Sequence, residues 1–578
     1  MLPRPDGSVL YYGAWYLLLY APLFSVTSVV FKSQRKKAQT TKAATREPLF
    51  GLPLAPPPAK SAELKATAQH FSKSLLSKQL SQSIERPEQL LATRTADSWV
   101  KAGERRALAL FHEAAARVPA YKDFLRKQRI KPELIKTIED FQKLPLIDKD
   151  NYLREYPLDA LSWDGLMSVN HMVSVSSGSS GVPMYWPRGS LLEMESTWMH
   201  ELILKRFKAH QTPTLVVDLF SMGMYIAGPI TLNSVLRVAQ KGYPLTVITP
   251  GLDMNDTMSA LINVMDQFKQ IVFAGYPPFV KDTIDEGQHR GINWRKWRVR
   301  YILAGEGFTE GWRNYMGEVV RQKKTILADS VNLYGTADAA VVAHETPTSI
   351  AIRRRALASD TLYHQLFTEG DNGRLPSFVQ YYPTLKYFEA VANELVFTAT
   401  AGIPLIRYNI HDVGSVVSFD DAVSAVQSTT EELAQELQST ERGLAITQLP
   451  FVYLYGKSDL TVTLYGLNVY PENIKLALEQ RSIRNSVSGR FAMSTEYRED
   501  SNDQYLLVHI ELARGILPSE RLELEVTNEL IATLRTVNFE YGKLYASIGD
   551  ERSRPQVRLH AYQESSYFNR EGKQRWKV

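Results

Sequence analysis

The chain has no cysteine in 578 residues, which excludes a disulfide framework, cysteine zinc sites, iron–sulfur clusters and thiol nucleophiles. Any covalent or metal chemistry must use other side chains. The eleven histidines form no metal-ligand spacing such as His-Glu-x-x-His, and His344-Glu345 is only an adjacent pair, so they read as solvated or packed. No repeat of fixed period occurs, which disfavours solenoids and propellers. No pair of acids stands out for glycosidic chemistry, and the 10% aromatic content is spread along the chain rather than gathered as a base-stacking surface. A general charge bias is missing too. The net charge is +5, yet residues 1–46 hold seven Lys or Arg against the single acid Asp6, leaving the remaining 532 residues at −1. The bulk of the chain therefore has no overall attraction for phosphate polymers.

What is present is ordinary for a folded chain: 44% hydrophobic and 22% charged residues, in a length equal to roughly four domains of about 150 residues. Residues 7–31 carry no charge and are as long as the roughly 20 apolar residues that cross a bilayer. Tyr11, Tyr12, Trp15, Tyr16 and Tyr20 crowd the first half, and six Lys or Arg follow before Glu47. This reads as attachment to a membrane with a cytoplasmic basic flank. The alternative is an amphipathic or disordered leader, given Pro22 and the Ser and Thr of the second half. Residues 51–60, GLPLAPPPAK, read as a stiff linker.

Apolar spacing predicts a helix over 98–126. From 170 onward, short apolar runs at 171–176, 214–220, 244–249, 270–274, 299–304 and 330–334 read as buried strands with helical stretches between them. That alternation predicts an α/β architecture. Near the end, a strand at 504–513, a helix at 519–537 with Leu522, Val526, Leu530 and Leu534 on one stripe, and a strand at 555–562 predict a small α+β domain. The stretch 418–450 looks like an exposed insertion, with a polar helix near 430–437.

Chemistry first shows in Ser176-Ser177-Gly178-Ser179-Ser180-Gly181, directly after a strand. Glycine admits close backbone approach, and exposed N–H groups with hydroxyls make a nest for phosphate oxygens. By itself such a run reads as a connector. It is not a Walker loop, because no lysine follows the second glycine, nor a hydrolase elbow, because Val182 takes the last glycine's place. Gly456-Lys457-Ser458 is no Walker loop either, since Phe451 replaces its first glycine.

Further segments follow in order. They are Ala304-Gly305-Glu306-Gly307; Asn332-Leu333-Tyr334-Gly335-Thr336-Ala337-Asp338; Glu394-Leu395-Val396-Phe397-Thr398 leading to Pro404-Leu405-Ile406-Arg407-Tyr408-Asn409-Ile410-His411-Asp412; Gly456-Lys457-Ser458-Asp459 with Tyr465-Gly466-Leu467-Asn468; and Glu571-Gly572-Lys573. From about residue 98 to the end, the series resembles the adenylate-forming (AMP-binding) superfamily, most closely its phenylacetate-CoA ligase branch.

The resemblance implies a large, multi-subdomain adenylation domain at 98–455 and a small mobile α+β domain at 456–578, after a segment at 1–50 and a linker at 51–97. It implies a magnesium-requiring reaction in which an aryl or other hydrophobic carboxylic acid attacks ATP to give acyl-AMP, and coenzyme A then takes the acyl group. Lys573 would bridge the carboxylate and the α-phosphate, and the 176–181 run would hold phosphates. Gly305, Glu306, Tyr334 and Gly335 would wall the adenine, Asp412 would accept from the ribose hydroxyls, and Asp338 would hold magnesium. Asp459 would be the hinge of the small domain, Gly466 would border the thiol tunnel, and Tyr225 and Tyr276 would flank the acid. Read without the resemblance, these are a tail lysine, turn residues and core aromatics. Two positions depart from the pattern. Ala337 and Asp338 stand where the family has a hydroxyl residue and glutamate, with Thr336 one position away, and Lys457 stands where it prefers arginine. The same resemblance leaves room for an adenylyltransferase, for a ligase of surface-polysaccharide synthesis, and for a nucleotide-binding scaffold without turnover.

Overall fold

The computed structural model describes residue 91 and residues 93–568, except 177–183, 306, 309, 323–325, 368–375, 427–445, 458–461, 470, 479, 500, 563 and 566. The apolar segment 7–31 and the expected polar helix at 430–437 lie outside the described residues. Among the described residues, no helix is long and apolar enough to cross a membrane.

The first helix, α1 (Ala96–Arg117), starts where the Thr95 side chain accepts from Ser98 N–H and buries Trp99, Leu110, Phe111 and Ala114. The single helix expected over 98–126 is two helices. Val118 is extended and Pro119 opens α2 (Pro119–Lys127), because proline suits a first helical position and lacks the N–H that an interior one would need. The hairpin β1 (Met172–Val175) and β2 (Tyr185–Arg188) is antiparallel, and its connection carries the serine-glycine run.

Next come β3 (Thr214–Leu219), β4 (Leu245–Ile248), β5 (Gln270–Gly275), β6 (Arg298–Ala304), β7 (Ser330–Thr336), β8 (Ala340–His344), β9 (Ser377–Gln380), β10 (Lys386–Val391), β11 (Glu394–Ala399), β12 (Leu405–Val417) and β13 (Phe451–Lys457). Among the described residues these eleven form one sheet in the order β10-β11-β12-β13-β9-β8-β7-β6-β5-β3-β4. The β4 to β7 side is parallel and the rest antiparallel. The parallel strands read as nearly continuous apolar runs because both faces are covered. Leu215, Val217, Ile271 and Phe273 pack into one cluster, Val216, Val272 and Ile302 into another. Among the helices covering this half are α3 (Ser190–Arg206), α4 (Ala227–Ala239), α5 (Met254–Val264) and α6 (Pro277–His289).

The chain from 462 onward has its own core. A short hairpin, β14 (Val462–Leu464) and β15 (Leu467–Val469), precedes α7 (Pro471–Leu478). Strands β16 (Val487–Tyr497), β17 (Gln504–Leu512) and β18 (Gln556–His560) form a three-stranded sheet, β17 antiparallel to β16 and parallel to β18. Between β17 and β18 run α8 (Glu520–Val537), capped by Ser519, and α9 (Phe539–Ser553). Phe491, Val508, Ile510, Val526, Leu530, Leu534 and Leu544 fill this core. The α/β character and the closing strand-helix-strand order follow the sequence expectation.

Candidate nucleotide and thiol site

Parallel strands of a sheet like this one present ligand sites beyond their carboxyl ends. Strand β6 ends at Ala304, and Gly305 follows with φ +95°. A Cβ there would lie 2.7 Å from the Tyr276 ring, so glycine is required both by conformation and by space. Tyr276 precedes Pro277 at the start of α6, just after β5. Its ring meets Phe220, beyond the end of β3, edge to face at 5.2 Å, and burial pushes its hydroxyl up to about 12.

The turn of the β14–β15 hairpin covers the same Cδ1–Cε1 edge of that ring. Gly466 has φ +74°, and a Cβ on it would lie 2.3 Å from the Tyr276 ring. The hairpin of the closing region thus rests on Tyr276, next to Gly305. Glu540, at the start of α9, accepts from the Asn468 backbone N–H, and burial pushes its carboxyl up to about 7.

Strand β7 brings Tyr334 to the same end of the sheet. Tyr334 is buried, and its hydroxyl donates to Asp412 Oδ2 at 2.5 Å. Burial, followed by the Asp412 charge, raises the phenol well above its ordinary range. Asp412 is presented by an irregular stretch of β12. Arg407 and His411 have positive φ, the register against β11 shifts between Glu394 and Val396, and Asn409 Oδ1 accepts from His411 N–H at 2.8 Å. Such a bulge re-aims a side chain out of a ladder. In the β7–β8 turn, buried Asp338 accepts from Tyr408 Oη at 2.8 Å, and Thr336 Oγ1 accepts from Ala339 N–H at 3.0 Å. Gly335 is exposed, and a Cβ on it would make only an ordinary contact.

Of the serine-glycine run, Ser176 is described. Its N–H donates to Met184 O at 2.9 Å, closing the base of the connection. Val175 N–H donates to Met224 O, which brings the segment bearing the half-buried Tyr225 against this hairpin. Ser177, Gly178, Ser179, Ser180, Gly181, Glu306, Asp459 and Lys573 lie outside the described residues. The expected positions therefore fall into two described groups, Tyr276 with Gly305 and Gly466, and Tyr334 with Asp412.

Three side chains were missed. Tyr408 lies inside the 404–412 segment, where no local pattern marks its hydroxyl as the partner of Asp338. Asp218, a lone acid in the apolar run TLVVDLF, is fully buried near the end of β3; its Oδ1 accepts from Phe220 N–H, and burial holds the carboxyl well above the usual range. An acid within a buried strand pattern is a signal the sequence offered. Glu540 had none, because its neighbourhood is created by tertiary packing. His344 is packed as expected, between Glu345 O and Tyr382 Oη at 2.8 Å each, and burial lowers it to about 4.

No family model and no curated protein matches this sequence. Among solved structures, the chain is similar to 2-hydroxyisobutyryl-CoA ligase in complex with 2-HIB-AMP and CoA in the thioesterification state, at 16% identity and TM-score 0.55, over 85% of this chain and 91% of that one. The fold is that of the adenylate-forming enzymes. An open conformation of the same ligase matches at 15% identity and TM-score 0.47, over 84% and 93%. An acyl acid amido synthetase in complex with 2,4-DB matches at 11% identity and TM-score 0.40, over 84% and 93%. In the adenylate-forming fold of this chain, the eleven-stranded sheet carries the first group of site positions, and the hairpin at 462–469 brings Gly466 to them.

Proposed function

We propose that the protein joins a carboxylic acid to AMP at the expense of ATP and passes the acyl group to the thiol of coenzyme A. The observation that carries this reading is the packing of Gly305 and Gly466 on one tyrosine ring. It joins a residue after a sheet strand to the closing region's hairpin, where a nucleotide adduct and a thiol arm would have to meet. The similar CoA ligase was captured with an acyl-AMP and CoA together.

In the first step a carboxylate oxygen attacks the α-phosphorus of ATP and pyrophosphate leaves; in the second the thiolate attacks the acyl carbon and AMP leaves. A carboxylate is a weak nucleophile and ATP is strongly anionic, so positioning and positive charge must supply most of the acceleration. In this reading Lys573 brings that charge, the 176–181 run holds phosphate oxygens, and Asp412 takes the ribose hydroxyls. The Tyr334 hydroxyl donates to Asp412 and holds its carboxylate in orientation. Glycine at 305 and 466 leaves room for the Tyr276 ring, which together with Tyr225 would border the acid pocket, favouring an aryl or other hydrophobic acid.

Magnesium fits this site as a single-carboxylate ion. Among the described residues no cluster of three potential ligands exists, and magnesium is usually held by one or two carboxylates plus substrate phosphates and water. Asp338 is the hard oxygen donor present, oriented by Tyr408. When bound, the ion would neutralise phosphate charge.

A second reading is favoured by one observation: Ala337 lacks a hydroxyl, and the oxygen of Thr336 accepts within its own turn. A nucleotide-binding protein without turnover fits those facts. Pyrophosphate release measured with a panel of aryl and aliphatic acids, with and without coenzyme A, separates the readings. The ligase requires acid-dependent release and a thioester product. Tight ATP binding with no release for any acid favours the second reading, and release without thiol transfer favours an enzyme that stops at the adenylate.

A further inference from the structure

At the amino-terminal ends of the parallel strands, away from the site above, lies a groove of about 460 Å³. Its walls are the approach to β3, residue 269 before β5, and the segment 295–298 that leads into β6. Lys269, Arg295, Lys296 and Arg298 line it, and no acidic residue does. The backbone there is tied together. Lys269 N–H and Gln270 N–H both donate to Pro213 O, at 3.0 and 3.2 Å, and Arg298 N–H donates to Lys269 O at 3.1 Å. The side chain of Trp297, 6% exposed, is fixed by its indole N–H on Met265 O at 3.0 Å, and the Lys296 ammonium lies 5.7 Å from the ring's centre.

Arg300, two residues further along β6, differs in that it pairs with Asp329. Among the described residues, none of the four groove cations is paired with an acid. Since the chain beyond residue 46 sums to −1, this is a local concentration of charge. Like charges gathered in a cleft repel one another and focus a positive potential there, which an anion relieves. Arginine's planar fork matches phosphate oxygens in particular, and the volume suits a small ligand.

We propose that this groove binds a phosphate-bearing anion with at least two negative charges. It is distinct from the candidate nucleotide site. Arg298 and Ala304 are the two ends of β6, and six residue steps of a strand separate them by about 20 Å. Two sources share this chemistry, a soluble polyphosphate or phosphomonoester and a phosphomonoester lipid headgroup.

The test uses the full chain and a double variant, Arg295→Ala with Arg298→Ala, whose folding is checked by circular dichroism and thermal unfolding. Tripolyphosphate is titrated calorimetrically at low and high salt, and sedimentation is measured with phosphatidylcholine vesicles with and without phosphatidic acid. The double variant is expected to weaken binding to at least one probe by about tenfold or more at low salt, with the difference shrinking at high salt. A loss confined to tripolyphosphate identifies a soluble ligand, a loss confined to phosphatidic acid vesicles a headgroup, and a loss of both their shared chemistry. If neither probe binds the parent chain, or if the double variant binds both as well as the parent does, the proposal is wrong.

Discussion

Gly466 is the residue on which the proposed chemistry and the observed packing meet most closely. Its φ of +74° lies in the left-handed region, where an L side chain costs about 1–2 kcal/mol, and a methyl group would also overlap the Tyr276 ring. Gly466→Ala is expected to lower thioester formation by about tenfold or more while leaving acid-dependent pyrophosphate release within about twofold, because the turn must withdraw from the ring to make room. Stopped-time assays of the two products measure that split, and equal losses in both would count against a thiol-side role. At the other group, Tyr334→Phe keeps the ring and removes the hydrogen bond to the Asp412 carboxylate. A hydrogen bond to a charged group is worth about 1.5–3 kcal/mol, so denaturant unfolding is expected to show a loss of that order. Asp412→Ala is expected to raise the ATP requirement for pyrophosphate release by about tenfold or more, since in the proposed reading this carboxylate takes both ribose hydroxyls.

Helix α6 is the element that links the large sheet to the closing region. Lys281 on its inner face reaches Asp285 at 2.7 Å and Asp503, in the β16–β17 turn, at 3.0 Å. Asp282 faces Arg552 at the end of α9 at 3.4 Å, and Tyr315 donates to Asp285 at 2.7 Å. Burial pushes the Asp282 carboxyl up to about 7, against the pull of Arg552. An unfolded aspartate titrates near 3.9, so between about pH 4 and pH 7 the native state holds a proton that the unfolded chain has released. Stability contributed by this group therefore falls as pH rises through that window. Asp282→Asn is expected to flatten that part of the profile, as followed by urea unfolding at a series of pH values. Asp503, Asp285 and Lys281 also face this carboxyl, and their charges persist in the variant.

For the whole molecule, these contacts hold the three-stranded sheet's region against α6 in the arrangement that sets Gly466 on Tyr276. Lys281→Met keeps much of the apolar stem and removes the cation between two acids. It is expected to slow the thiol-dependent step several-fold more than pyrophosphate release. Equal slowing of both steps would make the contact merely stabilising. Separate rates from single-turnover quenching measure the difference, and higher ionic strength is expected to mimic part of the effect.

Much of this molecule was legible in its residues. Apolar runs such as 214–220 and 299–304 became buried strands because a parallel sheet covered on both faces demands unbroken hydrophobicity. Of the Leu522, Val526, Leu530 and Leu534 stripe, the last three are buried and Leu522 packs half-buried beside them, as the helical period of a core-facing side requires. The break at Pro119 is written in the chain, but apolar spacing continues across it and hides it from a reading by period. Gly305 and Gly466 could be singled out by motif order, yet only tertiary structure set these residues, 161 positions apart, against one tyrosine ring. Likewise no local pattern could have told that Asp282 and Glu540 would lose their water, or that Lys269 would join the three cations of segment 295–298 at one groove. Local residue patterns set which segments must be buried and which could turn, because those depend on neighbours a few residues away. Which charges and rings meet was decided by chain crossings over hundreds of residues, where packing sets the dielectric and the distance.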